Sequence, residues 1–417
     1  MFTNHLLSKS FLQKVIGGIM VMAFSINLYL ISFEIFLHNT LDGYGYTEFL
    51  INFARGFVRR GLIGEWLLWF TSATGIHPHD TINAICLTAF VLVLWFFFRE
   101  FHKGGYNWWL ILSPVFCGFV VYIIRKDFLL YGIVIGIFYF MRNTSPTVWK
   151  RAIAFLLATF GLFLHEAFIF WGLPVYAMIL LTERKHRVIN SLQVTLLLGV
   201  FTVMCYYKGD LDTAHAIIDS WNAIIDGSPL YFIEKDSIGA LSWDTKSTII
   251  NHIARNIGST RFGIVYWPIC ILVVYYFLTF FFNSFKPTKA TYGMTEQTHL
   301  SSLLLTLYLC MLPMFAMLSC DYGRLIQYVT VTAFSAYFLI DKDVIDRMLP
   351  KKLQRFVAGL NTTLYRLLPP SKGLITVLLL IIGISPYWYN PTEAMMKSPL
   401  GTIGYFCCIK ILKLLGI

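Results

Sequence analysis

Charged and titratable side chains are scarce in this chain, and several stand where apolar segments are interrupted. Arg55, Arg59 and Arg60 follow one another closely, and His165 with Glu166 divides a long apolar run. Arginine guanidinium groups bind phosphate oxygens through paired hydrogen bonds. A positioned histidine or carboxylate can take or give a proton. These residue types predict a site for a phosphate-bearing ligand with an acid or base beside it.

Three further positions carry the same residue types. Asp42 comes directly after the first apolar segment, where a partly buried carboxylate is a candidate general base. Arg125 and Lys126 lie between two apolar runs, and Asp321 and Arg324 lie between two later ones. Ionisable groups at membrane depth are costly, which makes them functional candidates. We expect all these residues to line one cavity.

Each candidate also has a structural interpretation. Glu166 can be the ion-pair partner of Arg125 or Lys126, and His165 can be a hydrogen-bonded core histidine. Arginines near a membrane surface often extend their charged ends to the interface. Two histidines and one aspartate in segment 77–80 are a weak metal-ligand set, and the eight cysteines show no zinc spacing. We therefore expect neither a metal nor a cofactor.

The composition places the chain among membrane proteins. Hydrophobic residues make up 57% and charged residues 13% of its 417 residues, whereas soluble domains carry about 25% charged residues. The net charge of +11 is explained by cytoplasmic loops rich in Lys and Arg. This composition excludes a disordered protein, a fibrous repeat, a disulfide scaffold and a nucleic-acid-binding protein.

Apolar runs long enough to cross a bilayer recur along the chain. We expect an all-α, polytopic transmembrane bundle of about 10–13 spans, forming a single integral membrane domain over residues 1–417. Stretch 61–74 is interpreted as a partial or interfacial helix. The predicted spans are 15–37, 81–98, 107–124, 127–141, 152–164 joined to 167–182, 188–206, 262–282, 301–318, 325–340 and 374–389, with a shorter run at 401–416.

The distribution of basic residues orients this bundle. The positive-inside rule places the N-terminus in the cytoplasm. Segment 341–373, basic and amphipathic, is predicted to lie there on the membrane surface. The extracytoplasmic loops are then 38–80 and 207–261, and every candidate residue falls on their side. The second loop is too long for a plain turn and carries aromatic residues that can cover a site. The predicted cytoplasmic segments are 1–14, 99–106, 142–151, 183–188, 283–300 and 341–373.

Two parts of this pattern resemble known families. The chain resembles the Wzy-like bacterial O-antigen and exopolysaccharide polymerases, in which an Arg at the start of one span, a basic cytoplasmic turn and a His in the next span recur. It is more broadly similar to the GT-C-type polytopic membrane glycosyltransferases, which have an acidic residue after the first span, where Asp42 stands. The matching segments are Ile124-Arg125-Lys126-Asp127, Arg142-Asn143, Trp149-Lys150-Arg151 and Leu164-His165-Glu166-Ala167.

The resemblance implies glycosyl transfer on the periplasmic face of a bacterial inner membrane. The donor would be an undecaprenyl-diphosphate-linked glycan, and the further partners would be the lipid bilayer and other polysaccharide-export proteins. Asp42, His165 or Glu166 would deprotonate the acceptor. The alternatives are a transporter or flippase of a lipid-linked sugar, a membrane O-acyltransferase using His165, and a structural membrane subunit. The residues implied to bind substrate are Arg55, Arg59, Arg60, Arg125, Lys126, Asp321 and Arg324.

Overall fold

The computed structural model describes residues 9–37, 41, 43–116, 123–144, 146–225, 227, 229–257, 263–281, 294–319, 321–369 and 398–414. Within these ranges the chain folds into helices and forms no strand, which confirms the all-α prediction.

Seventeen α-helices are formed in the described ranges. They are α1 (Lys9–Leu37), α2 (Tyr44–Leu50), α3 (Gly61–Thr74), α4 (Pro78–Lys103), α5 (Asp127–Met141), α6 (Val148–Leu164), α7 (Phe168–Trp171), α8 (Leu173–Thr182), α9 (Arg187–Tyr206), α10 (Leu211–Asn222), α11 (Thr245–Asn256), α12 (Gly263–Tyr276), α13 (Met294–Cys310), α14 (Tyr322–Leu339), α15 (Lys342–Met348), α16 (Lys351–Leu367) and α17 (Pro399–Leu414). Short 3₁₀-helices occur at Trp108–Leu112, Arg184–His186 and Gly239–Ser242, and π-helical turns at Phe277–Phe281 and Met314–Leu318.

Three of the described helices are long and apolar enough to cross a membrane. They are Gln13–Ser32 within α1, Pro78–Lys103 and Arg187–Tyr206. These helices support the assignment to membrane proteins, while a count of ten or more spans and their orientation stay predictions. The predicted span 374–389 lies outside the described residues. The predicted span 107–124 is wrong over 107–116, where a 3₁₀-helix ends before Pro114, a residue that disfavours a continuing helix.

The main apolar core surrounds α14, which packs against α5 and α13. Most of its residues are buried, including the ring of Tyr328, which stacks on Trp171 at a centroid distance of 4.4 Å. A helix that is buried on all sides orients whatever stands at its ends. The first turn of α14 carries Arg324, and that residue is therefore held in a defined place.

The two predicted extracytoplasmic loops fold on each other. Residues 44–75 and 207–243, here called the cap, share a second apolar core that includes Phe49, Leu50 and Trp221. The indole Nε1 of Trp221 donates to the Leu50 carbonyl at 2.7 Å, and the Asn52 amide donates to Ser220 Oγ at 2.8 Å. Trp221 is therefore a core residue and is not free to stack on a ligand, whereas Tyr231 is exposed.

We predict that Gly64→Ala will disrupt the cap. A Cβ at this position would lie 1.9 Å from the Ile51 carbonyl oxygen, so α3 cannot keep its contact with α2. We expect the free energy of unfolding to fall by about 3 kcal/mol or more. The measurement is the thermal unfolding midpoint in detergent, which should be lower than that of wild type.

Gly199→Ala in α9 is the matched control, because a Cβ there meets nothing within 4 Å. Equal unfolding midpoints for the two variants would contradict the close approach of α3 to residue 51.

Candidate functional site

Arg60 occupies a strained backbone position at the start of α3. Its φ of 64° and ψ of 3° are left-handed, and among the described residues it alone has a positive φ without being a glycine. Such a conformation costs about 1–3 kcal/mol and persists only where the surroundings over-determine it. Here the buried contacts of Arg60 with Glu166 and Lys126 hold the backbone in this conformation.

Arg60 forms a two-bond ion pair with Glu166. Its Nε donates to Glu166 Oε2 at 2.7 Å and its Nη2 to Oε1, and Arg59 Nη1 donates to the same Oε1 at 3.2 Å. Glu166 stands in the break between α6 and α7. A helix break between two apolar segments thus presents its carboxylate to both arginines. Glu166 therefore pairs with Arg59 and Arg60. The sequence alone suggests Arg125 or Lys126 as its partner.

Glu48 is a functional candidate that the sequence reasoning missed. It lies on α2, has no exposed surface, and neither carboxylate oxygen has a hydrogen-bond partner in the described structure. Its Oε1 is 3.8 Å from Arg60 Nη1 and 3.6 Å from His165 Nε2. Burial raises the pKa of Glu48, but the positive charges of Arg324 and Arg60 outweigh burial and the net direction is downward. The signal that the sequence offers for Glu48 is a single acidic residue directly before the apolar stretch 49–51.

His165 has a defined tautomer. Its Nδ1 accepts a hydrogen bond from the backbone N–H of Ala167 at 3.1 Å, so the proton of the neutral ring is on Nε2, which faces Glu48. Burial, reinforced by the charge of Arg60, lowers the pKa of His165 to about 3. His165 is therefore a neutral donor toward Glu48 near neutral pH and has no free lone pair.

Lys126 is fully buried beneath Arg60. Its Nζ donates to the Arg60 carbonyl at 3.2 Å and lies 5.6 Å from the centroid of the Phe49 ring. Burial lowers the pKa of Lys126 to about 8, although the charge of Glu48 acts in the opposite direction. Lys126 thus fixes the strained backbone of Arg60 and adds a positive charge beside Glu48.

The first turn of α14 meets the start of α5 through Arg324. The Nε and Nη2 of Arg324 donate to the two oxygens of Asp127, each at 2.7 Å, and the hydroxyl of Tyr328 donates to Asp127 as well. Asp321 lies 4.0 Å from Arg125. The residues at 125–127 and 321–324 therefore meet through two separate pairs.

Arg55 lies apart from this group. Segment 51–60 is not helical, so the four-residue spacing of Arg55 and Arg59 does not place them on one helix face. Arg55 Nη1 is 2.6 Å from the Asp212 carboxylate on α10, and both side chains are largely exposed. Asp42 lies outside the described residues. Arg55 therefore joins the two halves of the cap and does not reach Glu48.

The remaining candidates form one assembly, here called the ionic cluster. Its members are Glu48, Arg59, Arg60, Arg125, Lys126, Asp127, His165, Glu166, Asp321 and Arg324. With His165 neutral, five cations face four carboxylates among the described residues, which leaves one positive charge in surplus there. Such a balance favours a ligand that brings negative charge.

The edge of the ionic cluster is accessible at Arg59. Its side chain is 26% exposed, more than those of Asp321 and Arg125. Its Nε is buried and has no hydrogen-bond partner in the described part of the chain, and its ion pair there is with Glu166. Arg59 is thus the most exposed arginine of the cluster, while its unused Nε donor is enclosed.

An apolar groove of about 820 Å³ begins next to the ionic cluster. It runs between α4 and α5, from Ala84 and Phe128 to Arg99 and Tyr139. Phe128 directly follows the cluster residue Asp127, and the length from Ala84 to Arg99 corresponds to about 22 Å of helix. The groove is therefore long and apolar, and one end of it lies at the residue that follows Asp127.

The histidine segment 77–80 does not assemble metal ligands. The His79 ring stacks on Tyr46 at a centroid distance of 5.0 Å. Over the residues that the structure describes, no group of three or more His, Cys, Asp or Glu side chains is placed to hold a metal ion.

No protein-family model, curated protein or solved structure matches the chain.

We predict that Glu166→Gln will destabilise the protein strongly. The change removes the negative charge that balances Arg59 and Arg60 in their buried environment. We expect the free energy of unfolding to fall by about 3–5 kcal/mol. Thermal or denaturant unfolding in detergent measures the loss. The double change Arg60→Met/Glu166→Leu should recover much of it, because it removes both charges.

The exposed pair of Arg55 and Asp212 provides the matched control. Asp212→Asn should change stability by about 1 kcal/mol or less. An equal effect of Glu166→Gln and Asp212→Asn would contradict the buried role of Glu166.

Proposed function

We propose that this protein is an integral membrane glycosyltransferase of the polysaccharide-polymerase type. It would join polyprenyl-diphosphate-linked oligosaccharide units on the periplasmic face of a bacterial inner membrane. The observation that carries the proposal is the ionic cluster, in which cations from three chain segments meet with a surplus of positive charge among the described residues. A diphosphate leaving group needs such a stabilising site, because negative charge develops on it as the glycosidic bond breaks.

In this mechanism the diphosphate binds at the accessible edge of the cluster. Arg59 is the most exposed arginine of the cluster and would contact the ligand with its guanidinium, and Arg125 is also partly exposed, with its guanidinium 4.9 Å from the Tyr44 ring centroid. Arg60 and Arg324 are held by Glu166 and Asp127. They supply fixed positive potential to the site without direct contact with the ligand.

The proposed base is Glu48. An acceptor hydroxyl attacks the anomeric carbon, the bond from that carbon to the diphosphate oxygen breaks, and the hydroxyl proton passes to the carboxylate. Glu166 is held by two arginines, and His165 has no free lone pair, whereas the Glu48 oxygens accept no hydrogen bond in the described structure. Because Glu48 has no exposed surface, the acceptor reaches it only when the side chains around it move aside.

The groove between α4 and α5 supports a lipid-linked substrate. Its apolar length, starting beside Asp127, suits one long isoprenoid chain whose diphosphate is bound at the cluster. The same groove also favours the second candidate function, a flippase that carries a lipid-linked sugar along the helices.

The first test is deletion of the gene followed by complementation, with surface polysaccharide separated on a gel. Wild type should restore a ladder of long polymers, and Arg59→Ala and Glu48→Gln should leave single repeat units. Asp212→Asn, outside the cluster, should restore the ladder. A ladder with both cluster variants would contradict a polymerase site here. Loss of even single units from the surface, with unjoined lipid-linked units retained on the cytoplasmic side, would favour the flippase.

A second prediction concerns the groove. Gly132→Leu projects into it without a clash, since a Cβ there meets nothing within 4 Å. Displacing about two buried methylene groups should weaken long-chain lipid diphosphate binding about tenfold. Binding of a short-chain analogue should not change.

Gly199→Leu in α9, also without neighbours at its Cβ, is the control for the groove variant. Equal weakening for short and long chains would show that the groove does not hold the tail.

A further inference from the structure

The helix α16 lies at the end of the bundle opposite to the ionic cluster. Its Asn361 accepts from the Tyr275 hydroxyl at 2.8 Å and donates to Ser301 Oγ at 3.2 Å. The two ends are separated by α14, which has 18 residues and a length of about 27 Å. The cap and α16 therefore belong to different ends of the molecule.

The apolar stripe of α16 does not lie in the environment that the sequence predicts for it. Val357 is fully buried, and Leu353, Leu360 and Leu364 pack against the main core. The apolar stripe that predicted contact with a membrane surface thus contacts the bundle. A membrane contact of this helix requires apolar side chains that the bundle leaves exposed.

Two such side chains lie at the edge of the stripe. Phe356 is 63% and Leu367 76% exposed. At 100° per residue their side chains leave the helix within about 20° of each other. They stand on one line of the helix, about 16 Å apart along its axis, next to the partly buried Leu360.

A row of basic residues flanks this exposed edge. Lys352, Arg355 and Arg366 lie about 40–100° from Phe356 around the helix. The helix contains no acidic residue, and its described ion pair is made by Lys351 with Asp346 at 2.5 Å. The exposed side of α16 is therefore apolar along one edge and positively charged along the next.

We propose that this exposed side of α16 binds anionic phospholipid. Phe356 and Leu367 enter the boundary between headgroups and acyl chains, and Lys352, Arg355 and Arg366 bind lipid phosphates. The charge pattern favours lipid phosphate over a neutral surface, and the spanning-length helices of the same chain bring a bilayer next to α16. This contact is independent of the glycosyltransferase proposal.

The test uses the purified full-length protein in a neutral detergent. Phosphatidylglycerol or phosphatidylcholine is titrated in, and the thermal unfolding midpoint is followed. Wild type should be stabilised by phosphatidylglycerol in preference to phosphatidylcholine. The variant Lys352→Gln/Arg355→Gln/Arg366→Gln should require about tenfold more phosphatidylglycerol for the same shift. The variant Lys185→Gln/Lys235→Gln/Lys246→Gln, with the same loss of charge at exposed positions elsewhere, should behave as wild type.

A second measurement locates the apolar edge. Single cysteine variants Phe356→Cys and Thr362→Cys, made in a background without other reactive cysteines, are labelled with a fluorophore in lipid nanodiscs. The label at 356 should be quenched by a nitroxide lipid and that at 362 by aqueous iodide.

Several results would overturn the proposal. These are equal stabilisation by the two lipids, an equal loss in both triple variants, or iodide quenching at both labelled positions. Crosslinking of residue 356 to a polypeptide in place of lipid would do the same and would assign the face to a protein partner.

Discussion

The buried pair of Arg60 and Glu166 holds the cap to the helical bundle. Arg60 closes the turn before α3 in a left-handed conformation, and Glu166 stands where α6 is interrupted before α7. Neither feature is favourable alone, since one is strained and the other places a carboxylate in a buried break. Together they satisfy each other through two hydrogen bonds, and Lys126 secures the arrangement from below through the Arg60 carbonyl.

Charge pairing limits which residues can act on a ligand. Arg324 is held by Asp127, and Arg55 is held by Asp212 outside the cluster. Most of the arginines that the sequence suggests as phosphate ligands are thus already neutralised by protein carboxylates. What remains for a ligand is the partly exposed guanidinium of Arg59 and the surplus charge of the described cluster. The enclosed carboxylate of Glu48 is the complementary group, because its lone pairs are not occupied by the described neighbours.

The two ends of the bundle are built for different surroundings. The cap has its own apolar core, centred on Trp221, and closes over the ionic cluster. At the other end, α16 packs an apolar stripe on the bundle and exposes Phe356 and Leu367 beside basic residues. A groove between α4 and α5 extends from Phe128 to Arg99. The described part of the chain thus combines a charged enclosed site, an apolar groove and a basic amphipathic helix in one helical body.

The sequence by itself determined the helical class, the membrane character and the positions of most helices, because apolar runs and their interruptions are local signals. It also identified eight of the ten members of the ionic cluster, although Arg55, which was named with them, proved to lie elsewhere. The tertiary structure decided the pairings. Arg60 with Glu166, and Arg324 with Asp127, join residues 106 and 197 positions apart, and no local pattern encodes such distances. Glu48 escaped the sequence reasoning for the same reason, since one acid in an apolar stretch gains its meaning only from the cations that the fold brings around it.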